Sequence, residues 1–378
     1  MNGRFALPLA GGRYYDSLRH EVCSEADLGG RLLLAGQERD AIRAAMCLEE
    51  RTAVHLIPSF QCNLRCKHCY VKDQLKRPGA EDEDFLGLRT ERLFAWMERV
   101  LDWRGRLWVH LVGGEPLLHP GFCRDVGLWC RANAVPLYLT TNGYWDYEEC
   151  GEVLGLVDSV TFSIDGVPEH HSGLRRSLLT TDEDTFGTTY RNLERFVREH
   201  PGKGVSVQGS VVSGEVEEQA EQFVALMAFV GVPSEQIDLN YAASSRVWRA
   251  DGHWQALLPR QTRTKPCCDH TRGKILVVNG DNVYSSYYRM RETDPICTID
   301  DGVDAILAGY DREIDAAPVL NDPVCRDQCK AVGVCWGLCT SARHAMADPT
   351  RPSGICDRAY KESYVEALAT RAGAACAN

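Results

Sequence analysis

Between Ala53 and Ala242, short apolar runs alternate with longer amphipathic ones. AVHLIPS (53–59), LWVHLVGG (107–114), PLYLTTNG (136–143), SVTFSIDG (159–166), VSVQGSVVS (205–213) and QIDLNYA (236–242) read as strands. Helical periodicity fills most of the intervals, over Thr90–Trp103, Asp125–Asn133, Tyr147–Leu156, Phe186–Glu199 and Glu217–Val230. Strands that are continuous in apolar residues suit a parallel sheet covered by helices. Six alternations at most predict an α/β fold built as an open, partial (β/α)6 barrel of the TIM type rather than a closed eight-stranded one.

Around this block the pattern changes. Residues 1–50 form a small preface, with GGRLLLAG as a hairpin strand and a short helical run near Asp40–Cys47. After about Ser244 periodicity fades and cysteines crowd in, which places a domain boundary near Ser245. The units expected are therefore 1–50, 51–245 and 246–378, the last held in shape by metal rather than by an apolar core. The acidic stretch GAEDEDF (79–85) reads as a solvated loop.

The 378-residue chain has a formal net charge of -11, which argues against nucleic acid or an anionic membrane as partner. It has neither a signal-peptide core nor a run of about 18 apolar residues, so a cytoplasmic protein with no membrane partner is expected. Its 17 cysteines are an odd number in a long chain without a secretion signal, so metal ligation is a better prior than disulfides.

Cys62, Cys66 and Cys69 in FQCNLRCKHCYVK stand just past the first strand. Zinc would want a fourth ligand, for which His68 is the local candidate. A cubane iron-sulfur cluster can use three cysteines and leave its fourth iron open. The spacing resembles the C-x3-C-x2-C signature of the radical S-adenosylmethionine (SAM) superfamily, and further motifs follow at successive strand ends: GGEP (113–116), TTNG (140–143) and SIDG (163–166). Ligand sites of parallel sheets gather at the carboxyl ends of strands, so the motifs describe one pocket. The resemblance implies that Gly113, Gly114 and Glu115 receive the amino group of SAM. It makes Asn142, Ser163 and Asp165 candidates for its ribose or carboxylate, with Gln208 on the same rim, and offers Arg175 as a bidentate carboxylate partner. His68 is assigned to shielding the cluster, and no catalytic residue beyond these is assigned.

Cys325, Cys329, Cys335, Cys339 and Cys356 resemble the tail of the SPASM extension, which carries one or two auxiliary four-iron clusters in this superfamily. The first pair is spaced by three rather than two residues, and Ser285 stands where a cysteine is usual. Carried over, Cys325, Cys329, Cys335 and Cys356 hold a distal cluster. Cys339 with Cys267 or Cys268, and Cys297 as a further candidate, would hold a proximal one; a structural zinc site is the alternative for this tail.

The resemblance implies an enzyme that reductively cleaves SAM at a [4Fe-4S] cluster to a 5′-deoxyadenosyl radical, which abstracts hydrogen from a substrate. The tail favours a peptide substrate and an oxidised product such as a crosslink or thioether. A small-molecule dehydrogenase or epimerase, for instance of an amino sugar, is the runner-up, and a zinc or electron-transfer protein is the non-enzyme alternative. An external donor of flavodoxin or ferredoxin type would supply the electron.

Overall fold

The computed structural model describes residues 6–8, 12–16, 21–29, 52–179, 184–211, 216–241 and 275–316, with breaks at 70, 72, 288–289 and 291–293. Hence the GGRLLLAG strand, the Asp40–Cys47 helix and Cys267, Cys268, Cys325, Cys329, Cys335, Cys339 and Cys356 lie outside the described residues.

Near the N-terminus, β1 (Ala6–Pro8), β2 (Arg13–Asp16) and β3 (Glu21–Ser24) form a small antiparallel sheet, followed by α1 (Glu25–Gly29). The main sheet begins with β4 (Thr52–Leu56). In chain order there follow β5 (Leu64–Cys66), α2 (Thr90–Arg104), β6 (Leu107–Leu111), α3 (Pro120–Ala132), β7 (Leu137–Thr141) and α4 (Tyr147–Leu156). Next come β8 (Ser159–Ser163), α5 (Pro168–Leu174), β9 (Arg175–Ser177), α6 (Thr185–Glu199), β10 (Gly204–Val211), α7 (Val216–Phe229) and β11 (Ile237–Tyr241). The strands β11, β10, β8, β7, β6 and β4 lie side by side in that order, all parallel, as the six alternations predict for a partial barrel.

Helix starts follow from local chemistry. The Asp146 side chain accepts from the Glu148 N–H at the start of α4, and Asp184 accepts from the Gly187 N–H at the start of α6. Pro120 opens α3 five residues before the periodicity does, because an N-terminal proline has no N–H to leave unpaired and fixes a helical φ.

The chain then returns to the same sheet. β12 (Ile275–Asn279) adds parallel to β4, and β13 (Asn282–Tyr284) and β14 (Cys297–Thr298) continue antiparallel to it, with α8 (Val303–Asp315) behind. Arg89 and Arg92 at the start of α2 pair with Asp281 in the β12–β13 turn, and Arg92 pairs also with Asp300. The described residues 275–316 are therefore joined to the barrel sheet along β4, the strand that leads into the first cysteine loop.

The sheet has two unlike faces. Val54, Leu56, Val109, Leu111, Leu137, Leu139, Val160, Phe162, Val207, Leu276 and Val278 join one buried apolar core with the helices. The alternate residues, among them His55, Trp108, His110, Tyr138, Thr140, Thr161 and Ser206, occupy the opposite, inner face, since successive strand residues point to opposite sides. Among the described residues, no helix is long and apolar enough to cross a membrane.

Candidate functional site

The loop after β4 carries the cysteines, and backbone hydrogen bonds fix its course. Gly114 N–H donates to the Ser59 carbonyl (3.1 Å) and Glu115 N–H to the Gln61 carbonyl (2.8 Å), so the GGEP turn lies directly against the segment leading into Cys62. Gly113 has φ 137°, in the region that favours glycine. At Gly114 an added Cβ would sit 2.1 Å from the Gln61 carbonyl oxygen. Sequence reading assigned these glycines to the approach of a ligand. The structure shows a nearer reason, the approach of one chain segment to another.

On the other side of the loop lies a residue that sequence reading passed over. Asp82, in the acidic stretch expected to be a solvated loop, buries its side chain (1% exposed), which accepts from Lys76 Nζ (2.8 Å), the Ser59 hydroxyl and the Phe60 N–H. Burial pushes its carboxyl up, but the hydrogen bonds from Lys76 and Ser59 outweigh it and hold the carboxyl below its ordinary value. The expectation of a wholly solvated loop is corrected at this residue: its neighbours Glu81 and Glu83 are exposed, while Asp82 pins the cysteine loop.

Cys62 is buried, and Cys66 and Cys69 are half-buried. The Leu64 N–H (3.4 Å) and Asn142 Nδ2 (3.8 Å) point donors at the Cys62 sulfur, and Arg175 Nη1 points one at Cys66 (3.7 Å). Burial pushes the Cys62 thiol up to about 12 and the Cys66 thiol up to about 11, with Arg175 pulling the latter down. Bare thiolates are thus disfavoured here, and a bound cation would have to displace the protons. N–H donors aimed at two of the sulfurs are what thiolate ligands require once formed. Among the described residues, no group of three or more His, Cys, Asp or Glu is gathered around a point that could hold one metal ion. His68, the fourth ligand a zinc site would want, turns Nε2 to Asp165 (3.3 Å). Three thiolates without His68 as a fourth ligand suit a cubane cluster that keeps one iron open better than a single tetrahedral ion.

Glu115 is buried at the end of β6. Its Oε1 accepts from the Leu117 N–H (3.1 Å) and the Thr141 hydroxyl (2.8 Å), and its Oε2 from the Asn142 N–H (2.7 Å). The carboxylate brackets the GGEP and TTNG turns together, and with about four acceptor positions it keeps one for a further donor such as an ammonium. Burial pushes its pKa up to about 7 from 4.5, against the pull of the hydrogen bonds from Asn142, Thr141 and Leu117. The folded chain therefore holds this proton more tightly than the unfolded chain does. The stability linked to it is present below about pH 4.5 and is lost as pH rises to about 7. Urea denaturation between those pH values is expected to show the wild type losing stability relative to Glu115→Gln; parallel slopes would contradict the assignment.

The other candidates fall into two groups. Asn142 directs its side chain at Asn63 (2.8 Å) and Cys62 and accepts from the Tyr144 N–H, so its amide supports the cysteine loop. Ser163 and Gln208 are register partners on β8 and β10, side by side as expected of one rim. Asp165 is fully buried and holds Arg175 through Nε (2.6 Å) and Nη2 (3.2 Å). The fork expected to grip a cofactor carboxylate thus grips a protein one. Short strands β5 and β9 pair antiparallel, with Cys66 opposite Arg175, and tie the segment after SIDG to the cysteine loop. Cys297 lies in the main apolar core, where burial pushes its thiol up to about 12.

Sequence reading also missed the inner face beneath this site. The rings of His55 and His110 meet edge-on at 4.7 Å, His110 Nε2 is 2.8 Å from the Thr140 hydroxyl, and Thr161 and Ser206 share a hydrogen bond. Burial lowers the His110 pKa to about 4, leaving a neutral imidazole at neutral pH. On one flank Ala53, Ile57 and Val277 pack with Tyr287 and with Cys69 of the cysteine loop, so this face adjoins the cysteine site. The period-two placing of polar residues within these strands was the available signal.

Residues 56–227 match the Radical SAM superfamily model. Solved structures are similar over most of the chain. Native anSMEcpe with bound AdoMet superposes with TM-score 0.60 at 17% identity, over 86% of this chain and 100% of that one. Native anSMEcpe with bound AdoMet and Cp18Cys peptide gives 0.57 at 16%, over 84% and 98%. Streptococcus suis SuiB bound to precursor peptide SuiA gives 0.52 at 11%, over 85% and 79%. No curated protein matches by sequence.

Proposed function

We propose that this chain, whose residues 56–227 match the Radical SAM superfamily model, is a radical SAM enzyme whose substrate is a peptide, from which it removes hydrogen to leave an oxidised product such as a crosslink or thioether. The observation that carries the peptide reading is likeness over 98% of the length of a fold solved with a peptide in place, together with the SPASM-like cysteine tail. Cys62, Cys66 and Cys69 would hold a [4Fe-4S] cluster, which together with S-adenosylmethionine would supply radical chemistry for removing hydrogen from the substrate.

The chain's own residues do the rest. Glu115 offers its remaining acceptor position to the ammonium of the cofactor, while Gly113 and Gly114 keep the turn close to the cluster loop. Ser163 and Gln208 present polar groups on the rim for the ribose, and Asn142 and Asp165 shape the wall through the hydrogen bonds already described. The inner face, with neutral His110 and the Thr161–Ser206 pair, receives the substrate. The proposed division is a barrel over 51–245 and an auxiliary-cluster unit over 246–378. Cys325, Cys329, Cys335 and Cys356 hold its distal cluster, and Cys339 with Cys267 or Cys268 holds a proximal one. A flavodoxin- or ferredoxin-type donor in the cytoplasm delivers the electron.

The hydroxyls of the inner face also suit a polyhydroxylated small molecule, which keeps amino-sugar oxidation or epimerisation as the second reading. Co-expression with short cysteine-bearing peptides, followed by mass spectrometry, separates the two. The peptide reading expects a product lighter by whole pairs of hydrogens, formed only when Cys66 is intact. Turnover of amino sugars with every such peptide unchanged would decide for the second.

A further inference from the structure

The groups around Cys66 form one hydrogen-bonded set. Arg175 and Cys66 are register partners in the β5–β9 pair, so the backbone itself sets the guanidinium beside that sulfur. Lys67 N–H donates to the Leu174 carbonyl (2.9 Å) and Leu178 N–H to the Asn63 carbonyl (2.8 Å), extending the tie to both sides. Asp165, with its side chain 0% exposed, holds the guanidinium through Nε and Nη2, which leaves Nη1 for Cys66. The Asp165 N–H in turn donates to His171 Nδ1 (3.2 Å). Arg175 is thus a fixed cation, 11% exposed, with one N–H on a cluster ligand.

We propose that Arg175 is the residue that sets the reduction potential of the SAM-binding cluster, a positioning residue that acts through Cys66 and is itself positioned by Asp165. The inference rests on the radical SAM reading above. A cation hydrogen-bonded to a ligand sulfur favours the more negative, reduced cluster, and low solvent exposure keeps water from screening it. Asp165 limits the effect by its own charge and fixes its direction by its geometry. Cluster reduction would then depend on the same strand-end residues that shape the cofactor wall, which ties electron uptake to an assembled site.

The test is a potentiometric titration of the anaerobically reconstituted full chain without S-adenosylmethionine, followed by electron paramagnetic resonance. The double variant Arg175→Met/Asp165→Asn removes the pair without stranding a charge. It should keep the wild-type iron content while its reduced-to-oxidised ratio at a fixed potential falls about tenfold, a midpoint lower by about 59 mV for one electron. Arg175→Gln, which keeps an N–H donor and loses the charge, should move the same way and decides the matter if the double variant does not load. Arg175→Lys should recover part of the shift. Arg176→Met removes the same charge from an exposed neighbour on β9 and should leave the midpoint where it was. An unchanged midpoint in the Arg175 variants, or an equal shift in Arg176→Met, overturns the inference. So does an unchanged midpoint with weakened S-adenosylmethionine binding, which would make Arg175 a ligand of the cofactor carboxylate. A wild-type chain that takes up no iron would instead refute the reading on which the inference stands.

Discussion

Replacing Cys66 with Ala is expected to bring the release of 5′-deoxyadenosine from S-adenosylmethionine to background, in protein that folds as the wild type does. Three sulfurs serve three irons, and two thiolates with an open corner on either side cannot hold the cluster against solvent. Among the described residues His68 is no ready substitute, since it turns Nε2 to Asp165 and Arg175. The fold survives because Cys66 ends a three-residue strand on a half-buried loop and fills no core position. Reconstituted Cys66→Ala protein should therefore show a melting curve close to that of reconstituted wild type, with iron lower by one cluster. By contrast, Cys335→Ala removes a proposed auxiliary ligand; it should retain cofactor cleavage and lose product formation. Equal cleavage in wild type and Cys66→Ala would end the assignment of this trio to the cluster, and unchanged product in Cys335→Ala would end that of the tail.

The contrast between these cysteines follows what was legible in the chain. The helix from Tyr147 to Leu156 and the strands at 53, 107, 137, 159, 204 and 237 were readable because each is one periodic run bounded by turn residues. Motifs at strand ends were readable because their positions along the chain are fixed by those runs. What escaped is of two kinds. Elements of three residues, such as β5 and β9, are too short for any period to show, although their pairing brings Arg175 to Cys66. Contacts made in space by polar residues of ordinary composition leave no pattern either: nothing in GAEDEDF distinguishes buried Asp82 from its exposed neighbours Glu81 and Glu83. The return of β12 to the sheet was hidden for a related reason. ILVVN is a plausible strand anywhere, and only the pairing of Ile275 with Ala53 places it at the edge of the barrel. His55 and His110 were visible as letters but were absorbed into runs read as continuously apolar, which concealed the polar inner face.

Gly114→Ala is expected to be far more damaging than its single methyl suggests. The added Cβ would lie 2.1 Å from the Gln61 carbonyl oxygen and 2.8 Å from the carbonyl carbons of Gln61 and Phe60, all backbone atoms that no side-chain rotation can move aside. Relief requires the cysteine loop and the GGEP turn to separate. Separation breaks the hydrogen bonds from Gly114 and Glu115 to the Ser59 and Gln61 carbonyls, and it pulls Cys62 away from Asn142. Overpacking of this kind costs about 1–3 kcal/mol. The larger consequence is chemical: the two motifs that would hold the cluster and the amino group of the cofactor lose their mutual register. A displacement of about 1 Å at a reacting centre lowers rates on the order of a hundredfold. The expected result is thus a modest fall in melting temperature beside a fall in cofactor cleavage of about two orders of magnitude. Gly121→Ala is the matched control, because a methyl at that position meets no atom within 4 Å. If Gly114→Ala cleaved S-adenosylmethionine as fast as Gly121→Ala, the close approach of these two loops would not be what aligns cluster and cofactor.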